Sequence, residues 1–144
     1  MDLFTAMEVS ASGLSAERVR MNALASNLAN ARTTRTAEGG PYKRLDPVFE
    51  AVPLESRQGM GAGPQKTGAY LVQVPTIRQD EGEPQMVYDP QHPDADERGF
   101  VAMPNVNAVS EMVNLITASR SYEAGVTVMQ TLKSMSHSAL NIGA

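Results

Sequence analysis

The chain has 144 residues, a hydrophobic fraction of 42% and a charged fraction of 19%, which is typical of one folded domain and argues against disorder or two full domains. Its net charge of -4 argues against a duplex nucleic-acid binder, because affinity for phosphates comes largely from an excess of Lys and Arg. The absence of cysteine excludes disulfides, thiolate metal sites and cysteine nucleophiles.

The N-terminal segment, residues 1–30, predicts an amphipathic helix of about 27 residues. Apolar residues recur there at alternating spacings of three and four and include Leu14, Met21 and Leu28, with Arg18 interrupting the stripe. The opposite face is polar, so this helix needs a partner that covers the stripe.

The middle segment, residues 31–104, is rich in turn-forming residues, and every proline of the chain lies within it. Short apolar or alternating runs between the turns predict about four strands, with the prolines at strand edges, bulges or ends. The predicted strands are Tyr42–Leu54, Tyr70–Gln79, Gln85–Tyr88 and Gly99–Met103. So few residues make a small β element that is too thin for an independent enzyme core.

The C-terminal segment, residues 105–144, predicts a second amphipathic helix from about residue 107 to about residue 142. Its apolar face consists of Met112, Leu115, Tyr122, Val126, Met129, Leu132 and Met135. The sequence therefore predicts an α+β fold, in which the two terminal helices pair as an antiparallel or coiled-coil arm. Residues 1–30 and 105–144 would form one helical domain, and residues 31–104 a β-rich insertion.

Several polar residues stand at positions that suggest a structural role. Asn27, Asn30 and Asn107 are expected to hold helix ends through side-chain hydrogen bonds to the backbone. Arg18 and Arg120 interrupt largely apolar stripes, so ion pairs across the helices are expected, with Glu123 or Glu111 as candidate partners.

Two segments of the middle region resemble ligand-binding motifs. The glycine-rich run Gly59–Gly68 lacks the glycines that a phosphate-binding loop needs before its Lys-Thr pair, which favours an ordinary loop. The acidic run around His92, Asp94 and Asp96 lacks two oxygen ligands of a calcium loop, which favours a structured turn. The alternative is a small cytosolic metal-binding or hydrolytic domain that uses these three residues.

The pattern leaves open what covers the two helical stripes. They either pair with each other within one chain or pair between subunits. A third possibility, attachment to a membrane surface, is disfavoured because the polar faces carry few Lys or Arg. No run of the sequence is long and apolar enough for a spanning helix, and the N-terminus is unlike a cleavable signal peptide.

Specific residues then resemble a known family. The start Ser12-Gly13-Leu14, the ending Asn27-x-x-Asn30 and the run Gly39–Tyr42 resemble the N-terminal signature of bacterial flagellar rod and hook proteins. Further along, residues 88–96, 99–107, 111–113 and 119–124 resemble the proximal rod proteins of that superfamily. Gly125 departs from this pattern, because relatives usually carry Asn there.

The resemblance implies a structural subunit of the flagellar basal-body rod that has no enzymatic activity and no cofactor. It also implies export without signal cleavage by the flagellar type III apparatus, assembly in the periplasm, and contacts with itself, with other rod proteins and with a basal-body adaptor at the export gate. No nucleic acid or membrane insertion is expected. The assembly contacts would be made by Leu14, Arg18, Met21, Leu28, Met112, Leu115, Tyr122, Val126, Met129, Leu132 and Met135.

Overall fold

A computed structural model describes residues 3–55 and 66–142. It has two long helices at the ends of the chain and strands of 4 to 14 residues between them, which confirms the predicted α+β class. In chain order the elements are α1 (Leu3–Ala29), β1 (Leu45–Glu55), β2 (Lys66–Gln79), β3 (Gln85–Tyr88), β4 (Phe100–Met103) and α2 (Ala108–Ile142).

Both helices form where the apolar periodicity predicts them. Helix α1 has the predicted length of 27 residues. Helix α2 is 35 residues long and begins four residues after the buried Pro104, with Asn107 immediately before it. Proline and glycine are nearly absent from both helices, so straight-chain residues and alanine set the backbone preference there. Among the described residues, no helix is apolar enough over sufficient length to cross a bilayer.

The strands form two separate two-stranded sheets, β1 with β2 and β3 with β4. Strands β3 and β4 are antiparallel, with Gln85 opposite Met103 and Tyr88 opposite Phe100. Each strand of a two-stranded sheet has a free edge, which is why the prolines within β1 and β2 are tolerated.

Two strand boundaries differ from the prediction by more than one residue. Strand β1 starts at Leu45 and not at Tyr42, because the Tyr42 amide donates instead to the Thr33 carbonyl at 3.0 Å and closes a loop. Strand β2 starts at Lys66, four residues early, so the last three residues of the run Gly59–Gly68 belong to a strand. The rest of that predicted loop lies outside the described residues.

The described chain divides into two compact units, and each takes parts of both helices and of the middle segment. Unit 1 comprises Met1–Val19, Val48–Pro75 and Ala118–Ala144, and unit 2 comprises Arg20–Pro47 and Thr76–Thr117. The buried apolar residues of unit 1 are Ala16, Ala69 and Ala118, whereas those of unit 2 are Ala23, Leu24, Val101, Pro104 and Val106. Small side chains let helix and strand backbones approach closely, so unit 1 is held by close contact and not by large buried side chains.

A serine joins helix and strand within unit 1. The Ser12 hydroxyl donates to the Val9 carbonyl at 2.7 Å and accepts the Val72 amide of β2 at 3.1 Å. One hydroxyl therefore satisfies a strand N–H and bonds back to the helix, which ties β2 to α1.

Candidate functional site

In unit 1 the residues predicted to make assembly contacts are half-buried at most positions. Leu14 is half-buried on α1, whereas Arg18 is exposed. On α2 the half-buried members are Tyr122, Val126, Met129 and Leu132, and Met135 is 59% exposed. This face of unit 1 is therefore only partly covered within one chain.

Helix α2 has room for Leu14 because residue 125 is glycine. A Cβ atom at Gly125 would lie 2.8 Å from Leu14 Cδ2, which is closer than carbon atoms normally approach. Glycine at position 125 therefore has a packing reason in this chain. Next to this contact lies a groove of about 460 Å³, whose lining includes Phe49, Val72 and Val128.

In unit 2 the predicted contact residues show the same partial exposure. Met21, Leu28 and Leu115 are half-buried, and Met112 is 46% exposed. The same end of α2 also exposes Val109, Val113 and Ile116, which the predicted stripe did not include. Their spacing of four and three places them on one helical face, so the apolar surface of this helix is wider than the sequence pattern indicated.

Unit 2 contains a buried polar cluster around Asn27, which is fully buried. Its Nδ2 donates to the Leu45 carbonyl at 2.9 Å and to Glu111 Oε2 at 3.0 Å. Its Oδ1 accepts the Leu45 amide at 2.8 Å and the Tyr42 hydroxyl at 3.0 Å. Both donors and both acceptor positions of the amide are used, so only one orientation of the side chain satisfies all its neighbours.

Glu111 gives this cluster a buried charge. Its side chain is 3% exposed, and Oε1 accepts the Arg44 Nε at 2.8 Å. The hydrogen bond to Glu111 raises the pKa of Arg44 above its ordinary value, so the guanidinium stays charged throughout the physiological range. Because Arg44 and Asn27 hold the two carboxylate oxygens, the expected pairing of Glu111 with Arg18 or Arg120 is wrong.

The other two asparagines contact the helix ends through their side chains. Asn30 Nδ2 donates to the Ser26 carbonyl at 2.9 Å, directly after the end of α1. Asn107 Oδ1 accepts the Ser110 amide at 3.1 Å, which is the N-cap geometry at the start of α2. Asn27 instead bonds to the backbone of residue 45, so it joins α1 to the first residue of β1.

The acidic segment forms a turn, and its acidic and histidine side chains make hydrogen bonds and an ion pair with other groups of the same chain. His92 Nδ1 accepts the Asp94 amide at 3.1 Å, and the Asp94 carboxylate binds Thr34 Oγ1 at 2.8 Å and Arg35 at 2.9 Å. Asp96 Oδ1 accepts two backbone amides. Across residues 3–55 and 66–142, no three acidic or histidine side chains gather closely enough to hold a metal ion. The structure thus offers no support for a metal-binding or hydrolytic site.

Sequence reasoning missed the partners of Glu111. The pattern does not single out Arg44, because nothing in its spacing marks it as a neighbour of a residue on α2. The one usable signal is an acidic residue in the first turn of α2, but that position is equally explained by the positive end of the helix dipole.

Comparisons with known proteins cover both ends of the chain. Residues 7–35 match the family described as "Flagella basal body rod protein". Residues 97–142 match the family described as "Flagellar basal body rod FlgEFG protein C-terminal". The two matched stretches include most of α1 and all of α2.

Curated relatives align over nearly the full length. The chain is 40% identical to the flagellar basal-body rod protein FlgC of Borreliella burgdorferi, over 99% of this chain and 98% of that protein. It is 41% identical to the protein of that name from Bacillus subtilis and 39% identical to that from Salmonella typhimurium, each over 99% of both chains.

Proposed function

The chain belongs to the FlgC family of flagellar basal-body rod proteins, and we propose that it assembles into the rod through the apolar faces of its two terminal helices. It is a structural subunit of the flagellar basal body and not an enzyme. As a rod protein it assembles with other rod components. The proposal concerns which surfaces make those contacts.

One observation carries the proposal: the predicted face of α2 remains partly open in a single chain. Met112 and Met135 expose 46% and 59% of their surface, and their neighbours on that face are only half-buried. Apolar side chains that recur at helical spacing gain free energy when another helix covers them, by about 0.025 kcal/mol for each Å² removed from water. A neighbouring subunit that supplies such a helix would therefore stabilise both partners.

The sharpest test places a charge on an exposed residue of this face. Met135→Asp leaves the free subunit folded, because residue 135 is mostly exposed there, but it puts a carboxylate into the proposed contact. We expect the variant to match the parent chain in circular dichroism and urea midpoint, yet to be missing from isolated basal bodies. Swimming in soft agar should be lost.

Ser134→Asp is the matched control, since residue 134 is also exposed on α2 but stands on a different face. It should assemble and support swimming. Normal swimming with Met135→Asp, or equal loss with Ser134→Asp, would show that the proposed face does not make the contact.

We infer further that the subunit reaches the periplasm through the flagellar type III apparatus and contacts further copies of itself, and that its helical arms transmit torque along the rod. The supporting observation is the full-length similarity to rod proteins. A strain that lacks the export ATPase should retain the chain in the cytoplasm. Its appearance in the periplasm of that strain would refute the inferred route.

A further inference from the structure

The outward face of the β3–β4 sheet in unit 2 is apolar, although it faces solvent. Tyr88 lies opposite Phe100 and Met86 opposite Ala102, so these four side chains share one face. The other face carries Val101, which is completely buried, and Val87, which is 41% exposed. Tyr88 is 65% exposed, Met86 56% and Phe100 37%. A sheet that covers a core on one side normally presents polar residues on the other, and exposed apolar patches mark interaction sites.

The exposed tyrosine is held in one position. Its ring packs edge-to-face against Phe100, with ring centroids 5.3 Å apart. Beneath it lies Gly99, which has a φ of 80° and where a Cβ atom would come within 2.9 Å of Tyr88 Cε2 and 3.2 Å of Pro90. Only glycine combines this backbone conformation with so close an approach of the ring. The ring therefore already packs against its own chain before any partner arrives, which lowers the entropy that binding costs.

Acidic residues flank this apolar face. Glu83 precedes β3, Asp89 directly follows it, and Glu97 lies shortly before β4; all three are exposed. Residues 81–104 contain six acidic residues and one basic residue. The acidic border of this face is complementary to a surface that exposes Lys or Arg.

The same chain carries a surface of that charge. Arg32 and Lys43 are exposed, and the hydrogen bond between the Thr33 carbonyl and the Tyr42 amide, 3.0 Å long, brings the two ends of their loop together. Residues 31–44 contain four basic residues and one acidic residue. The acidic and basic segments already attract each other within one chain, where Arg35 binds Asp94.

We propose that the face formed by Met86, Tyr88 and Phe100 docks on the Arg32–Lys43 surface of a second copy of this chain. The inference rests on the proposed function, because it concerns contacts within the assembled rod. Two different surfaces meet in such a contact, so it is heterologous and repeats from copy to copy, as a ring or helical array requires. Tyr88 is the anchoring side chain, and the surrounding charges set orientation.

Cysteine cross-linking tests this contact directly, because the chain has no cysteine of its own. Cells would express two differently tagged copies, one with Glu97→Cys and the other with Lys43→Cys, and a short bis-maleimide would be added to isolated basal bodies. Only a contact between copies joins the two tags. We expect a cross-linked heterodimer, and none when Lys133→Cys, an exposed lysine of unit 1, replaces Lys43→Cys.

A second measurement uses the anchor. Tyr88→Ala should lower the cross-linked fraction by about tenfold or more, as loss of an anchoring aromatic does in other interfaces, and Tyr88→Phe should preserve it. Basal bodies that contain both copies but give no link above the Lys133→Cys control would overturn the proposal. So would a link from Glu97→Cys exclusively to a different protein. Absence of the parental chain from basal bodies would refute the proposed function itself, and this inference with it.

Discussion

Replacing Asn27 by aspartate is the most demanding test of the buried cluster in unit 2. Asn27→Asp keeps the size and shape of the side chain but replaces the Nδ2 donor by an oxygen. That oxygen then faces Glu111 Oε2 at 3.0 Å and the Leu45 carbonyl at 2.9 Å, both of which are acceptors. The substitution therefore changes the hydrogen-bond pattern and the charge without creating a cavity.

The loss of stability depends on how the folded chain accommodates the new carboxyl group: it either stays charged and repels Glu111, or it takes up a proton. The response that costs less free energy sets the size of the loss. Two carboxylates 3 Å apart repel each other by about 5 kcal/mol at an effective dielectric constant of about 20. Protonating the new carboxyl group at about pH 7 costs about 4 kcal/mol, because its ordinary pKa is about 3.9 and each pH unit is worth about 1.4 kcal/mol. One acceptor still lacks a donor, which adds about 1 to 3 kcal/mol. We expect Asn27→Asp to lower the free energy of unfolding by about 5 to 7 kcal/mol.

The pH dependence has a definite sign. The native state raises the pKa of the new carboxyl group, so it binds more protons than the unfolded state and the variant gains stability as pH falls. Between about pH 7 and about pH 5 the difference from the parent chain should shrink by about 3 kcal/mol. Urea unfolding followed by circular dichroism measures this, since the chain has no tryptophan.

Two further variants complete this test. Asn22→Asp, at an exposed position of α1 in the same unit, should change stability by less than about 0.5 kcal/mol. In the double variant Asn27→Asp with Glu111→Gln, the glutamine amide again donates to the carboxylate at position 27. Part of the lost free energy of unfolding should therefore be recovered, with a coupling energy of about 1 to 2 kcal/mol. A loss below about 1 kcal/mol for Asn27→Asp, or a loss independent of pH, would refute the reasoning.

Two other substitutions test the remaining contacts by the same unfolding measurement. Gly125→Ala gains about 1 kcal/mol of helix propensity but crowds the end of the flexible Leu14 side chain, which must move aside at a cost of about 1 kcal/mol. We therefore expect almost no net change, and a gain of about 1 kcal/mol when Leu14→Ala has removed the contact. A loss in both backgrounds would contradict this packing. Arg44→Ala leaves Glu111 without its cation and should cost about 2 to 3 kcal/mol, toward the low end for a buried pair because the guanidinium is partly exposed. The hydrogen bond to Glu111 raises the pKa of Arg44 above its ordinary value, so the guanidinium stays charged and this cost should stay constant from about pH 6 to about pH 9. A cost that fades across that range would count against the pair.

The elements of this fold could be predicted because each depends on residues close together in the chain. A period of three and four sets the two helices, and their bounds fall within about two residues of the expectation, as is usual for strongly periodic segments. The first residues of β1 and β2 were harder to predict from the sequence. Tyr42 has strand propensity, yet its amide bonds to Thr33 across a loop, and local propensity carries no information about that partner.

The polar cluster around Asn27 could not be predicted, because its partners lie even further apart in the chain. Asn27 and Glu111 are 84 residues apart in the chain, and their contact exists only after α1, α2 and the start of β1 have met. In sequence each has a sufficient local explanation, one near a helix end and the other in a first helical turn, so neither position looks unusual. Burial changes the energetics: in water either group would be nearly neutral for stability, whereas in a site closed to water each unsatisfied atom costs about 1 to 3 kcal/mol. Asn27 and Glu111 thus contribute to the stability of unit 2 through their buried surroundings, which the local sequence does not reveal.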